Sequence, residues 1–145
     1  MTRMLTDPDS PLTREEDAGA VVTAEVAGLD EEFHLARLEF SGGTLLSPAS
    51  ELGAARMPGA ARTVRVRILA RDVSLSLEPS QGSSILNTLS VEVLDLTPRG
   101  QGRILVRLVS GQDTLLALVS KKSAAALELG PGRRVYAQVK SVALL

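Results

Sequence analysis

The chain has 145 residues, a formal net charge of −1 at pH 7, no cysteine and one histidine. The absence of cysteine excludes disulfide bonds and thiolate metal sites, and one histidine cannot make a histidine-rich metal site. Hydrophobic residues make up 44% of the sequence but aromatic residues only 2%. The core must therefore be built from Val, Leu, Ile and Ala, a composition that favours strands and small barrels.

Charge is distributed unevenly along the chain. Residues 1–32 hold nine acids and two bases, and residues 33–145 hold fourteen bases and eight acids. We interpret residues 1–19 as an acidic linker or tail that joins a longer protein, and the basic body suits an anionic ligand. No apolar run approaches the roughly 18 residues of a membrane span, and the N-terminus lacks a signal-peptide pattern. We therefore expect a soluble, cytoplasmic chain.

Apolar and polar residues alternate in short runs that predict strands in the first half of the chain. Ser41-Gly-Gly43 and Pro58-Gly59 are expected to turn the chain between these runs. The clearest strand is Val64–Ile68, where two arginines face water. The predicted strands cover residues 22–26, 36–40, 44–46, 64–68 and 70–77.

The second half repeats the pattern of the first. Strands are predicted at residues 89–94, 104–108, 114–119 and 135–139, and Ser123 is expected to cap a short helix that ends at Leu129. The Thr-Leu-Leu of residues 44–46 recurs at 114–116, and Pro58-Gly59 recurs as Pro131-Gly132. This spacing predicts an internal duplication. We expect an all-β fold of two tandem OB-like small barrels with short helical turns, with modules at residues 20–78 and 79–145.

The sequence carries no catalytic pattern. It contains no Gly-rich phosphate loop ending in Lys-Ser or Lys-Thr, no Gly-x-Ser-x-Gly elbow and no carboxylate pair that stands out. His34 has no plausible partner set, so we interpret it as structural or merely exposed. Nucleic-acid binding is disfavoured because a single-strand site needs aromatic stacking platforms and a strongly basic groove. We therefore predict that this chain is not an enzyme and has no nucleic-acid partner.

Three polar clusters remain as candidate functional residues. The first is Ser83, Ser84 and Asn87, the second is Ser120-Lys-Lys-Ser123, and the third is Lys140-Ser141. Taken separately, they have ordinary explanations: a linker, a solvated turn with a capping serine, and a strand end. Taken together, they hold the hydroxyl donors, amide donors and cations that a tetrahedral dianion needs. One module offers few walls, so a site at a module or subunit boundary is expected.

Two segments resemble a known family. Residues 70–89 (ARDVSLSLEPSQGSSILNTL) and 136–144 (YAQVKSVAL) resemble the C-terminal region of the ATP-binding subunit of molybdate ABC transporters. In that family the region is a tandem pair of Mop/TOBE modules related to the molbindins. The resemblance implies an OB-like fold, homodimeric pairing between subunits, and molybdate or tungstate as ligand. It also implies a membrane permease as partner and a position on the inner face of the cell membrane. Because the sequence has no phosphate loop, we expect no ATP site in this chain.

The same resemblance implies a site. The family's Ser-Ile-Arg-Asn motif corresponds to Ser84–Asn87, where Leu86 stands in place of the arginine. The lysine at the end of the last strand is kept as Lys140, followed by Ser141, and the strand-to-helix position matches Ser120–Ser123. The first module has no lysine in the corresponding Leu46–Ser50. The predicted oxyanion ligands are Ser83, Ser84, Asn87, Ser120, Lys121, Lys122, Lys140 and Ser141.

We prefer the hypothesis of an oxyanion-sensing regulatory domain that inhibits transport when intracellular molybdate is bound. A purely structural dimerisation module, in which the same serines cap turns, is the nearest alternative. A free-standing molybdate buffer of the molbindin kind is disfavoured by the acidic start of the chain. The ligand domain of a molybdate-responsive repressor would need a helix-turn-helix upstream.

Overall fold

The computed structural model describes residues 18–56, 63–79 and 82–145. Its first half contains five strands: β1 (Gly19–Asp30), β2 (Leu35–Phe40), β3 (Gly43–Pro48), β4 (Thr63–Leu69) and β5 (Val73–Ser76). One 3-10 helix, Ala49–Arg56, follows β3, and another, Ala70–Asp72, precedes β5. The predicted tail up to residue 17 and the predicted Pro58-Gly59 turn lie outside the described residues.

The second half repeats this order of elements. Its elements are β6 (Asn87–Gly100), β7 (Arg103–Ser110), β8 (Asp113–Ser120), the helix α1 (Lys121–Ala126), β9 (Arg134–Val139) and β10 (Ala143–Leu144). In both halves, three antiparallel strands are followed by a short helical segment and two further strands. The order of the elements therefore agrees with the predicted duplication.

The strands form two five-stranded antiparallel sheets. The first sheet has the order β10-β4-β1-β2-β3, and the second has the order β5-β9-β6-β7-β8. Within each sheet the order is the same: the fifth strand of a repeat, then the fourth, first, second and third. Both long first strands also shift register against their neighbours at matching places, between Val26 and Gly28 and between Val93 and Asp95. The predicted all-β fold is confirmed, and its strands form two curled sheets.

The fifth strands are exchanged between the two halves. Val73–Ser76, which precedes the linker, pairs with β9 of the second sheet. Ala143–Leu144, close to the C-terminus, pairs with β4 of the first sheet. The two sheets therefore do not divide the chain at residue 78, where the sequence places the module boundary. The position of that boundary remains a prediction. Each sheet depends on both halves of the chain.

Alternation decides which side chains reach the core. In β4, Val66 and Ile68 are buried while Arg65 and Arg67 are exposed, as the sequence predicts. Buried Val, Leu, Ile and Ala from both sheets join one hydrophobic cluster. Burial of a Val or Leu side chain contributes about 1.5–3 kcal/mol, so this shared cluster is the main source of stability. In the described part of the chain, no helix has the length and hydropathy needed to cross a membrane.

Several predicted element boundaries are wrong. The helix begins at Lys121 and ends at Ala126, and Ser120 caps it rather than Ser123. The predicted strand over residues 70–77 begins as a 3-10 helix, and only residues 73–76 are extended. Strand β6 continues to Gly100 because its pairing with β7 extends that far.

Two equivalent hairpin turns hold the sheets together. The Ser41 hydroxyl donates to Asp113 Oδ2 at 2.7 Å and accepts from the Gln112 backbone N–H at 2.9 Å. A Cβ at Gly42 would lie 2.0 Å from Ser110 Oγ, and a Cβ at Gly111 would lie 2.2 Å from the Ser41 carbonyl oxygen. The turns approach so closely that only glycine fits at these positions.

Replacing Gly42 with alanine should therefore destabilise the fold. The added methyl group must displace the buried Ser110 side chain, so we expect a loss of about 1–3 kcal/mol in the free energy of unfolding. Gly130→Ala is the matched control, because a Cβ there meets no atom within 4 Å. Urea denaturation of both variants measures the difference. Equal stability of the two variants would contradict the close contact.

Candidate functional site

Five of the eight predicted ligands lie at one end of the second sheet. Val73 of β5 and Asn87 of β6 lie in register with the same residue of β9, Val139. Lys140 and Ser141 follow Val139 directly, and Ser83 and Ser84 lead into Asn87. These five predicted residues, Ser83, Ser84, Asn87, Lys140 and Ser141, therefore belong to the same end of the sheet.

The side chain of Asn87 contacts the other sheet. Its Oδ1 accepts from the Leu46 N–H at 2.7 Å, and its Nδ2 donates to the Leu46 carbonyl at 3.1 Å. The residue is only 6% exposed. The amide thus pairs with the backbone of β3 as a neighbouring strand would. This contact gives Asn87 a structural task, independent of any ligand.

The linker before Asn87 exposes its polar groups. Ser83 Oγ accepts from the Ile85 N–H at 3.0 Å, a local turn that fixes this segment. Ser83 and Ser84 are both exposed. Leu86, at the position of the family's arginine, is 61% exposed, so an apolar side chain stands at this end of the sheet.

An acidic residue lies beside Lys140 and Ser141. The Asp72 backbone carbonyl accepts from the Lys140 N–H at 2.8 Å, and its Oδ2 accepts from the Ser141 hydroxyl at 3.2 Å. Asp72 is half-buried. A carboxylate at this distance repels a dianion bound by the same hydroxyl. Sequence reasoning missed Asp72 because its contact with Ser141 spans 69 residues and depends on the pairing of β5 with β9.

The Ser120–Ser123 cluster forms the start of α1. Ser120 Oγ accepts from the Ser123 N–H at 2.9 Å and lies 3.0 Å from the Ser123 hydroxyl oxygen. The Lys121 N–H donates to the Gly102 carbonyl at 2.6 Å, which fixes the helix against the turn between β6 and β7. The side chains of Lys121 and Lys122 are exposed. The helix has six residues and no buried side chain, so its position depends on these end contacts.

An open groove of about 510 Å³ lies between β5 and β8, the two edges of the second sheet. Ser74 and Leu75 line one side, and Ser120 and Ser123 line the other. Of the eight predicted ligands, Ser120 is the one that lines this groove. The segment from Arg71 to Leu75 connects the two parts of the predicted site, because it lines the groove and its Asp72 contacts Lys140 and Ser141.

The cations of the second module differ in their availability. Arg107 bonds Asp95 through its Nε at 2.9 and 3.1 Å and through its terminal nitrogen. This hydrogen bonding, with the attraction between the charges, lowers the pKa of Asp95 and raises the pKa of Arg107. Arg107 is thus paired internally. Lys121, Lys122 and Lys140 are exposed and can reach an anion.

The first module offers a less suitable groove. A cleft of about 450 Å³ is lined by Asp30, Glu31 and Arg37 together with apolar residues. Two carboxylates and one guanidinium give it a negative balance, which disfavours a dianion. In the Leu46–Ser50 stretch, Ser47 is fully buried and its hydroxyl has no hydrogen-bond partner in the structure. Among the described residues, no group of three His, Cys, Asp or Glu side chains could hold a metal ion.

Comparisons with known proteins show what the chain is similar to. Residues 83–145 match the TOBE domain family. The whole chain is also similar to molybdenum import ATP-binding proteins. It is 49% identical over 137 residues to that of Aromatoleum aromaticum, covering 94% of this chain and 35% of the relative.

Two further relatives support the same assignment. The molybdenum import ATP-binding protein of Thiobacillus denitrificans is 49% identical over 143 residues, which cover 94% of this chain and 36% of that protein. The second such protein of Azotobacter vinelandii is 43% identical over 144 residues, covering 99% and 38%. The chain therefore spans little more than a third of these relatives, and the similarity is consistent with their C-terminal TOBE region.

A solved structure shares the fold of both modules. The cytoplasmic molybdate-binding protein ModG, in a crystal form with molybdate bound, superposes with a TM-score of 0.70. The match covers 86% of this chain and 93% of that one at 23% sequence identity. The chain thus has the OB-like fold expected from the sequence.

Asn87 gives a direct test of the contact between the sheets. Replacing it with alanine removes both hydrogen bonds to Leu46 and leaves a half-buried backbone N–H and carbonyl without partners. We expect unfolding to become easier by about 1–3 kcal/mol. Ser84→Ala is the control, since Ser84 is exposed on the same linker. If the two variants had the same urea midpoint, the bridge from Asn87 to Leu46 would not be stabilising.

Proposed function

We propose that this chain is an oxyanion-binding regulatory domain of the ATP-binding subunit of a molybdate importer. The observation that carries this proposal is the similarity of 94% or more of the chain to molybdenum import ATP-binding proteins. The fold shared with a molybdate-binding protein supports it further. The ligand is molybdate or the isostructural tungstate, held as a tetrahedral dianion.

The chemistry of the site follows from its donors. Serine hydroxyls and backbone N–H groups can each donate one hydrogen bond to an oxyanion, and exposed lysines neutralise its charge. Lys140 and Ser141 lie at one end of the second sheet with Ser83 and Ser84. Lys121 and Lys122 follow Ser120 at the groove. At the end of the sheet near Lys140 the anion would stay open to solvent on one side, so a neighbouring subunit would complete its walls there.

The proposed role is regulatory. Molybdate binding at the domain would favour one arrangement of paired subunits, and that arrangement would slow ATP hydrolysis in the parent protein. The parent subunit would act with a membrane permease at the cytoplasmic face of the membrane. This chain would pair with a second copy of itself.

A structural dimerisation module is the second candidate, and specific contacts favour it. The hydroxyl of Ser141 is bonded to Asp72, and Ser120 and Asn87 use their side chains in internal contacts. Leu86 also stands where the family has a cation. In this alternative the same residues only stabilise the fold, and no oxyanion binds.

Calorimetric titration with molybdate separates these candidates. If the domain binds molybdate through its exposed ammonium groups, Lys140→Ala and Lys121→Ala should each weaken binding about ten- to a hundredfold, because each removes a charged hydrogen-bond donor. Arg65→Ala, on the outer face of the first sheet, should leave the affinity unchanged. Binding by the wild type that resists both lysine substitutions would refute the proposed site. Absence of binding by the wild type would favour the structural module.

Substitution of Asp72 tests the site in the opposite direction, because it should raise the affinity for molybdate. The substitution Asp72→Asn keeps the acceptor for Ser141 but removes a negative charge near the anion. At an effective dielectric constant of about 20, the repulsion between a carboxylate and a dianion that share one hydroxyl reaches several kcal/mol, so molybdate affinity should rise at least about tenfold. Glu78→Gln, an exposed acid after β5, is the control. An unchanged or weaker affinity would contradict a ligand position beside Asp72.

A further inference from the structure

The turn between β1 and β2 presents an aromatic side chain to solvent. Phe33 is 63% exposed, although the chain has only two phenylalanines. Asp30 Oδ1 accepts from the Phe33 N–H at 3.2 Å, and His34 takes a positive φ of 57° to bring the chain back into β2. We call residues 30–34 the Phe33 turn. Its backbone is held in shape while its aromatic ring remains uncovered.

The Phe33 turn is also strongly acidic. Asp30, Glu31 and Glu32 precede the phenylalanine, and no lysine or arginine occurs between residues 18 and 36. The turn thus presents an exposed aromatic ring beside three carboxylates. It fits a partner surface that combines an apolar pocket with positive charge.

The groove between β5 and β8 has those properties. Its walls include the side chains of Val73, Leu75, Leu118 and Leu127. Its volume of about 510 Å³ exceeds the roughly 150 Å³ that is enough to hold a benzene ring. An aromatic ring therefore fits into the groove with room for the neighbouring backbone.

The rim of this groove is basic. Lys121 and Lys122 directly follow Ser120, which lines the groove, and Arg103 lies opposite Ser120 in the ladder between β7 and β8. The sequence has no acid over residues 96–112 or 114–127. Positive charge and an apolar wall are therefore combined at the same place.

We propose that the Phe33 turn of one copy docks into the groove between β5 and β8 of a second copy. Phe33 fills the apolar part, and Glu31 and Glu32 face Lys121 and Lys122. The turn belongs to the first sheet and the groove to the second, and in a dimer with a twofold axis the contact is made twice. If the first modules of two copies contacted each other, their acidic Phe33 turns would face and repel each other. This inference specifies the surfaces of the proposed pairing, and it requires no oxyanion.

Self-association without molybdate tests the apolar part of the contact. Light scattering and sedimentation over a concentration series should give a dimer for the wild type. Phe33→Ala should raise the dissociation constant at least about tenfold, because each contact loses a buried ring. Leu145→Ala, at a similarly exposed residue (61%), is the control. A monomeric wild type would overturn both this contact and the proposed pairing, whereas an unaffected Phe33→Ala dimer would overturn the contact alone.

Charge exchange tests the electrostatic part. The double substitution Glu31→Lys with Glu32→Lys should weaken the dimer, and so should Lys121→Glu with Lys122→Glu. All four substitutions in one chain should restore it, since the opposite charges face each other again. Failure of the combined variant to recover would contradict the arrangement. The wild-type dimer should also weaken as salt is added, because the pairs lie at the surface.

Cross-linking locates the contact, because the chain has no cysteine of its own. A chain carrying Glu32→Cys, which keeps Phe33, is mixed with a chain carrying Ala126→Cys, a residue that lines the groove. Mild oxidation should give a mixed disulfide-linked dimer. Ser90→Cys, exposed on β6, replaces Ala126→Cys in the control and should give little product. Equal yields from both mixtures would overturn the proposed contact.

Discussion

The pairing of β5 with β9 is the contact on which the rest of the structure depends. Four residues, Val73–Ser76, leave their own half of the chain and complete the second sheet. The C-terminal strand β10 completes the first sheet in the same way. Neither half therefore contains all of its own strands. Because both exchanges are needed to bury the common core, the two modules are expected to fold as one cooperative unit.

The same exchange determines the surroundings of the candidate site. It brings Asp72 to the end of β9, where the carboxylate and the backbone carbonyl contact Ser141 and Lys140. It also makes β5 the edge strand that faces β8 across the groove. An unexchanged module would have neither feature. Residues of the first half thus form part of the surroundings of the candidate site in the second half.

The two halves are similar, but their differences are informative. Ser110 pairs with Asp113 as Phe40 pairs with Gly43, so the counterpart of Ser110 in the first half is Phe40, and that of Ser41 is Gly111. Ser41 has partners in Asp113 and the Gln112 N–H, whereas Ser110 Oγ is buried without a hydrogen bond. The two halves of the chain thus share the order of their strands but differ in their polar contacts.

The alternation of apolar and polar residues predicted the strands well, because alternate side chains of a strand are buried when one face of the sheet packs against the core. They predicted the wrong cap for α1 because Ser120 and Ser123 are both good capping residues, and only the ladder between β7 and β8 decides where the strand stops. They missed β10, because two residues carry no readable period. The contact between Asp72 and Ser141 could not be predicted, since it requires a strand pairing that no local pattern encodes. Which of the eight candidate ligands hold an anion depends on such long-range contacts.

Lys121 and Lys122 connect the two proposals made for this chain. Two exposed ammonium groups can neutralise a bound dianion or the carboxylates of a partner's Phe33 turn, but they cannot do both at full strength. Binding of the dianion therefore weakens binding of the partner's carboxylates, and binding of the carboxylates weakens binding of the dianion to the same extent. A molybdate ion at these lysines would weaken the contact between copies, whereas an ion held by Lys140 and Ser141 alone would leave it intact. The effect of molybdate on dimer dissociation thus distinguishes the two ends of the predicted site.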